Sequence, residues 1–241
     1  MDLGIGPVAT MVEEYLKQMA AERALTHVRS GMILGLGSGS TAAYFINMLG
    51  ERIRSGSLQD IQAVPTSEKS AQQARQLNIP LTSLAKQPVI DLAVDGADEV
   101  DPDLNLIKGL GKALLREKIV EIHAAKLVII VDETKLVSQL GTKAPLPVEI
   151  TPFEHAAHMR WLESLGCKVS IMLDKDEQPV MTDNGNYLVC CRFVGGILDP
   201  VALSRILADR PGIVEHGLFL NMADQVIVSG TQGITIMDKE A

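Results

Sequence analysis

Residues 91–121, DLAVDGADEVDPDLNLIKGLGKALLREKIVE, decide how this chain is read. The apolar run 92–94 reads as a buried strand. It gives way at once to Asp95-Gly96-Ala97-Asp98-Glu99, three carboxylates crowded into a loop. A second loop, Lys108-Gly109-Leu110-Gly111, sets a cation among glycines. Beyond it Ala113, Leu114, Ile119 and Val120, with Arg116, Glu117 and Lys118 between them, follow the period of an amphipathic helix. One segment therefore offers carboxylates at the C-terminal end of a strand, a lysine on a glycine loop and a glutamate one turn into a helix. In open α/β sheets, ligands bind in the crevice beyond the strand C-termini. Acidic loops after strands are ordinarily solvated turns, and a lone GxG carries little. The concentration of all three features in one segment points to a site.

Upstream, strands and helices alternate. Residues 8–28 have helical periodicity, with Val12, Leu16, Met19, Ala20 and Ala24 on one face, and residues 32–35 read as a strand. The sequence GLGSGST at 35–41 then leads into a helical pattern over 42–49. A glycine-rich strand-to-helix turn brings backbone N–H groups and the positive end of the helix dipole to an anion. Ser38, Gly39, Ser40 and Thr41 are the candidate donors. The spacing is neither GxxxxGK[ST] nor GxGxxG, so neither a P-loop nor a dinucleotide fingerprint is present. Strand 60–64, helix 66–77 with Thr66 or Ser67 as N-cap, strand 79–84 and the apolar strand 126–131, which ends in Asp132-Glu133-Thr134-Lys135, complete a pattern that predicts a Rossmann-like, doubly wound parallel α/β sheet.

The character changes at residues 141–147, where two prolines read as a linker. A helix over 153–165, a strand over 168–173, a hairpin over 179–193 turning type I′ at Asn184-Gly185, a helix over 199–207 and a strand over 212–218 predict a smaller α+β, ferredoxin-like subdomain. Residues 226–228 and 234–237 read as strands returning to the first sheet. The expected division is 1–141 with 220–241 for the Rossmann-like catalytic domain and 142–219 for the subdomain.

Composition narrows the function. The chain has 241 residues, 46% hydrophobic and only 3% aromatic, with a net charge of −8. A nucleic-acid binder calls for a basic stripe and stacking aromatics, so no nucleic-acid partner is expected. An anionic ligand must be held by local donors, which suits a small phosphorylated metabolite. Cys167, Cys190 and Cys191 make no CxxC pair and no even framework, which predicts reduced thiols in a cytoplasmic protein. Residues 1–6 lack a basic leader region, and no apolar run is long enough to span a membrane, so neither a secretory leader nor a membrane partner is expected. His155 and His158 are spaced as metal ligands sometimes are, but the Glu of HExxH is missing, and no metal site is assigned. His123 reads as a half-exposed helix residue.

DGADEVD followed by KGLGKALLREKIV resembles the ribose-5-phosphate isomerase A family, and GLGSGSTA, TDNGN, GILDP and PGIVEHGLF are similar to its signatures. Leu110, Lys112 and Leu115 depart from the usual Gly, small residue and Thr. The resemblance implies interconversion of D-ribose 5-phosphate and D-ribulose 5-phosphate through an enediolate, in pentose phosphate metabolism, by a homodimer or homotetramer that uses no cofactor. It implies that Glu117 is the base, that Lys108 stabilises the enediolate, and that Asp95 and Asp98 hold sugar hydroxyls and help open the ring. Gly96, Ala97, Gly109, Leu110 and Gly111 would line the substrate, and Ser38–Thr41 with Lys135 would hold the phosphate. Lys17 aligns with a lysine near the phosphate in the family. Two rivals share such a loop: an amino-sugar phosphate isomerase/deaminase, whose acidic–histidine catalytic loop is not in evident register here, and a phosphosugar sensor attached to a DNA-binding module, for which the chain has no room.

Overall fold

The computed structural model describes residues 7–239. The leader reading on residues 1–6 lies outside them. In chain order the elements are α1 (Pro7–Leu25), β1 (Ile33–Leu36), α2 (Ser40–Arg54), β2 (Gln62–Pro65), α3 (Glu68–Gln76), β3 (Leu92–Asp95), β4 (Glu99–Val100), β5 (Leu106–Ile107), α4 (Leu114–Glu121), β6 (Leu127–Asp132), β7 (Leu146–Ile150), α5 (His155–Glu163), β8 (Cys167–Ile171), β9 (Tyr187–Phe193), α6 (Pro200–Ala208), β10 (Ile213–His216), β11 (Leu218–Phe219), β12 (Gln225–Gly230) and β13 (Gly233–Asp238).

They form two compact units. The first takes Met1–Gly96, His123–Thr134 and Asp224–Ala241; the second takes Ala97–Ile122 and Lys135–Ala223. This differs from the division expected at 141/142 and 219/220. Residues 97–122 and 135–141 join the second unit because β4 and β5 pair with β11 there, and because Glu99 bonds the backbone at Gly141, Lys143 and Ala144.

The first unit is a six-stranded sheet in the order β13-β12-β6-β3-β1-β2, parallel except for the β12–β13 hairpin. The fully buried strands read as unbroken apolar runs, as parallel strands do. Leu34, Leu36, Val94, Val128, Ile130 and Ile227 pack with Phe45, Ile46 and Leu49 of α2 and with Ala20, Ala21 and Ala24 of α1. Val12, expected on the buried face of α1, is 45% exposed, whereas Ala21 and Leu25 are buried on the inner stripe. Ser67 caps α3, its side chain accepting the Ser70 N–H at 3.1 Å. Residues 79–84 make one bridge, Ala63 to Leu81, and no strand.

The second unit carries a four-stranded antiparallel sheet in the order β10-β7-β9-β8. With α5 and α6 this is β-α-β-β-α-β, the ferredoxin-like arrangement. Its first strand, β7, begins inside the stretch 141–147 expected as a linker. Pro147 sits within the strand opposite Cys190, at the end where β10 has already stopped at His216, so its missing N–H costs no ladder bond on that side. The hairpin turn also differs from type I′. Gly185 alone takes positive φ (+78°), Gly185 N–H donates to Thr182 O at 3.0 Å and Thr182 N–H to Asn186 O at 2.9 Å, a type I turn closed by a left-handed glycine. Ile107, Leu146, Val148, Ile150, Leu162, Val189, Leu203 and Leu218 fill its core. Among the described residues no helix is long and apolar enough to cross a membrane.

Candidate active site

In the first unit the parallel strands lie in the order β2-β1-β3-β6-β12, so the direction of winding reverses between β1 and β3. The crevice at such a reversal is the expected ligand position. The GLGSGST turn leaves β1 there, and Asp95 ends β3 beside it. The two are in close contact: a Cβ on Gly37 would lie 2.2 Å from Asp95 Oδ1. That oxygen accepts the Ser38 N–H at 2.9 Å and the Gly96 N–H at 2.7 Å. The Ser38 hydroxyl lies 2.8 Å from Thr66 Oγ1 and donates to Ser67 Oγ at 2.7 Å, and Thr66 in turn donates to Leu36 O at 3.0 Å. Ser38, read as a phosphate donor, thus spends its N–H and its hydroxyl on bracing the turn. The donors that helix geometry turns outward are the N–H groups at the start of α2, from Gly39 (φ +97°) through Ser40, Thr41 and Ala42, with the hydroxyls of Ser40 and Thr41. Gly39 and Ser40 are exposed and Thr41 is half-buried. Thr66 and Ser67, which fix Ser38, carried no sequence signal beyond the helix cap. Lys17 is engaged on its own helix, 2.5 Å from Glu13.

In the second unit the acidic loop divides its work. Asp98 Oδ2 accepts the Leu110 N–H at 3.0 Å, tying the acidic loop to the lysine loop. Glu99 is fully buried, and its carboxylate takes the N–H groups of Gly141 (2.5 Å), Lys143 (2.5 Å) and Ala144 (2.6 Å). The third carboxylate of the cluster is therefore a backbone anchor. Gly96 and Ala97 are half-buried where the chain passes from one unit to the next.

Lys108 is the buried cation of this unit, 2% exposed. Its backbone N–H donates to Gly217 O at 2.9 Å, and a Cβ on Gly217 would lie 2.2 Å from Lys108 O, which accounts for the glycine in PGIVEHGLF. Its ammonium lies 3.5 Å from Glu117 Oε2, 3.4 Å from Glu121 Oε1 and 5.4 Å from the centroid of Phe219. Glu117 and Glu121 are each 3% exposed and stand one turn apart on the same face of α4. Lys108 and Glu117 were both candidates from the sequence; Glu121 was not, because a glutamate at the end of a short helix ordinarily faces water. Gly109 turns the loop at φ +112°, Leu110 is half-buried, and Gly111 is exposed. Lys112 precedes the helix and is exposed in the left-handed region at φ +72°, so it does not load the first turn of α4 with positive charge.

The TDNGN hairpin holds α4 from outside. Buried Glu149 accepts from Thr182 Oγ1 (2.9 Å), Asn184 Nδ2 (3.2 Å) and Asn186 Nδ2 (2.8 Å). Asn184 Oδ1 then accepts Arg116 Nε at 2.9 Å, and Asp183 O accepts Arg116 Nη2 at 3.0 Å. The residue next to Glu117 is clamped to the hairpin tip. Lys135 ends a single 3₁₀ turn after β6 and is half-buried. His123 lies beyond the end of α4 and is exposed, and His158 Nε2 sits 3.1 Å from Phe153 O. A chain with these loops can bind an anion at a helix start and move a proton on a buried carboxylate next to an ammonium.

The sequence model of the family described as Ribose 5-phosphate isomerase A (phosphoriboisomerase A) matches residues 62–233. The chain belongs to this family. It is 48% identical over 224 residues to the ribose-5-phosphate isomerase A of Roseiflexus sp. (strain RS-1), covering 93% of this chain and 96% of that one. It is 45% identical to the probable ribose-5-phosphate isomerase 3, chloroplastic, of Arabidopsis thaliana, covering 94% and 84%. Among solved structures, a D-ribose-5-phosphate isomerase in complex with phospho-erythronic acid superposes with a TM-score of 0.91 at 42% identity, covering 93% and 98%. The ribose 5-phosphate isomerase of Plasmodium falciparum superposes with 0.92 at 36% identity, covering 95% and 100%.

Proposed function

We propose that this chain interconverts D-ribose 5-phosphate and D-ribulose 5-phosphate through an enediolate, with Glu117 as the base. Family membership supports the reaction, and the buried Lys108–Glu117 pair is the observation that carries the residue assignment. Aldose–ketose isomerisation needs one group to take the C2 proton and return it to C1, while the proton on O2 leaves and O1 gains one. A carboxylate withdrawn from water can do the first task. An ammonium beside it stabilises the negative charge that develops on O1 and O2 of the enediolate. In this reading Lys108 serves that charge. Asp95 and Asp98 orient sugar hydroxyls and assist ring opening, with Gly96, Ala97, Gly109, Leu110 and Gly111 lining the sugar. The α2 start, Gly39–Thr41, braced through Ser38, takes the phosphate, and the family resemblance adds Lys135 to that role. The reaction needs no cofactor. The neighbour bound to phospho-erythronic acid supports a phosphorylated sugar as the ligand class. A place in pentose phosphate metabolism, a cytoplasmic location and a homodimer or homotetramer complete the proposal.

The test is to incubate the purified protein with D-ribose 5-phosphate and follow ketose formation, with and without a chelator. Ketose should form at the same rate in both, and unphosphorylated ribose should turn over far more slowly. No ketose from ribose 5-phosphate would overturn the assignment.

A further inference from the structure

Glu117 stands on a helix that has little of its own to fix its orientation. α4 is eight residues long, about two turns, and its N-cap residue Ala113 makes no side-chain cap hydrogen bond. A helix this short takes its place from what packs around it. Leu114 and Val120 are buried on the same helix as Glu117. Apolar packing is non-directional, so it sets how deep the helix sits more than how it is rolled about its axis.

The directional contacts come from the two chain neighbours of Glu117. Lys118 Nζ donates to Glu215 Oε1 at 2.6 Å and to His216 O at 2.8 Å, both on β10. Arg116 donates from Nε to Asn184 Oδ1 at 2.9 Å and from Nη2 to Asp183 O at 3.0 Å, at the tip of the hairpin. Successive helix residues are turned by about 100°, so the two tethers leave α4 on opposite flanks of Glu117. The hairpin tip is itself fixed to the sheet. Glu149, fully buried on β7, takes Thr182 Oγ1, Asn184 Nδ2 and Asn186 Nδ2 on one carboxylate oxygen, at 2.9, 3.2 and 2.8 Å. Hydrogen bonds to an ionised acceptor are the stronger kind. Asn184 meets both ends: its amide nitrogen bonds the buried carboxylate, and its oxygen bonds the guanidinium.

We propose that Asn184 is a positioning residue of the isomerase: its carboxamide links Glu149 to Arg116 and so fixes the roll of α4 that points the Glu117 carboxylate at the sugar. This rests on the reading of Glu117 as the base. Asn184 acts through Arg116 and need not touch the sugar. A roll of about 10° carries an atom roughly 6 Å from the helix axis through about 1 Å. Misplacement by about 1 Å costs up to roughly 100-fold in rate. The phosphate and hydroxyl contacts proposed above come from other segments, so a rolled α4 leaves KM nearly unchanged.

The experiment compares kcat and KM for ribose 5-phosphate in the wild type, Asn184→Ala, Arg116→Met, the double variant and Glu117→Gln, with thermal melts to establish folding. Folded Asn184→Ala should lose roughly tenfold in kcat, with KM changed by less than about threefold. Deuterium exchange from solvent into recovered ribose 5-phosphate should slow in parallel. In the double variant kcat should match that of Arg116→Met, because the link that Asn184 supplies is already gone. That comparison holds whatever else Arg116 touches. An unchanged kcat in folded Asn184→Ala, a loss confined to KM, or losses that multiply in the double variant overturn the proposal. A residue that served stability alone would lower the melting temperature and leave kcat of the folded protein in place. If Asn184→Ala does not fold, Asn184→Ser decides by the same outcomes, since serine suits the turn but is too short to span both partners. An unchanged kcat in the folded Asn184 variant alongside loss of turnover in Glu117→Gln sinks the role of Asn184 alone. A wild type that does not isomerise ribose 5-phosphate, or full turnover in Glu117→Gln, sinks the functional reading beneath it.

Discussion

Gly37 and Asp95 leave no room for a methyl group between them: a Cβ on Gly37 would fall 2.2 Å from Asp95 Oδ1 and 2.6 Å from Asp95 Cα. The glycine turn and the end of β3 are built as one piece, with the carboxylate bonded to the turn's own Ser38 N–H. Gly37→Ala must push the turn away from β3, at a cost of roughly 1–3 kcal/mol for overpacking a tight site. The expected outcome is a lowered melting temperature and a KM for ribose 5-phosphate raised about tenfold or more. Unchanged values for both would show that the turn does not depend on this contact.

Glu99 tests the division of labour within the acidic loop. Its carboxylate accepts three backbone N–H groups and is fully buried, so Glu99→Ala strands those donors. Removing the acceptor for several buried donors costs on the order of 3 kcal/mol. Urea unfolding should show that loss, while kcat of the protein that remains folded changes less than about threefold. A large fall in kcat with stability intact would instead place Glu99 in the chemistry.

His216 predicts a pH dependence of stability. Burial first, and Lys118 next, push its pKa down to about 4 from the ordinary 6.5, with Glu215 opposing. The unfolded chain takes up a proton as pH falls through 6.5, whereas the folded chain does not until about 4. This contribution is complete above pH 6.5 and is lost progressively below it, about 2 kcal/mol by pH 5. Urea unfolding of the wild type at pH 7.5 and pH 5 should show a drop of that order. His216→Gln should lose that share of the drop, and an identical drop in the variant would contradict the assignment.

What could be read from the sequence was whatever depends on neighbours in the chain. The apolar runs at β1, β3, β6 and β12, the glycine turn into α2 and the helix that bears Glu117 all follow from local period and punctuation. β7 was missed because Pro145 and Pro147 read as loop residues, and only the pairing with β9 and β10 shows that Pro147 is tolerated at a strand position. The reading of residues 79–84 as a strand failed for the opposite reason: β propensity without a partner yields a single bridge. Ser38 was read as a phosphate donor, and Glu99 as one of three crowded carboxylates, from residue type and place alone. Their partners, Thr66, Ser67 and Asp95 for one and Gly141, Lys143 and Ala144 for the other, lie 28 to 57 positions away. Glu121 was invisible for the same reason, since the Lys108 it faces comes from the loop after β5, 13 positions earlier in the chain.

The central claim is that Glu117 moves the proton between C2 and C1. Glu117→Gln keeps the size of the side chain and cannot accept that proton. Positioned general-base catalysis contributes roughly 10²–10⁴-fold, so kcat should fall at least about 100-fold with little change in substrate affinity. The most direct measurement is deuterium incorporation from solvent into recovered ribose 5-phosphate, which reports the proton transfer itself. The account predicts that exchange disappears in Glu117→Gln and persists in Asp95→Asn, slowed in turnover only. Near-normal exchange in Glu117→Gln together with its loss in Asp95→Asn would place the base at Asp95 and contradict the account.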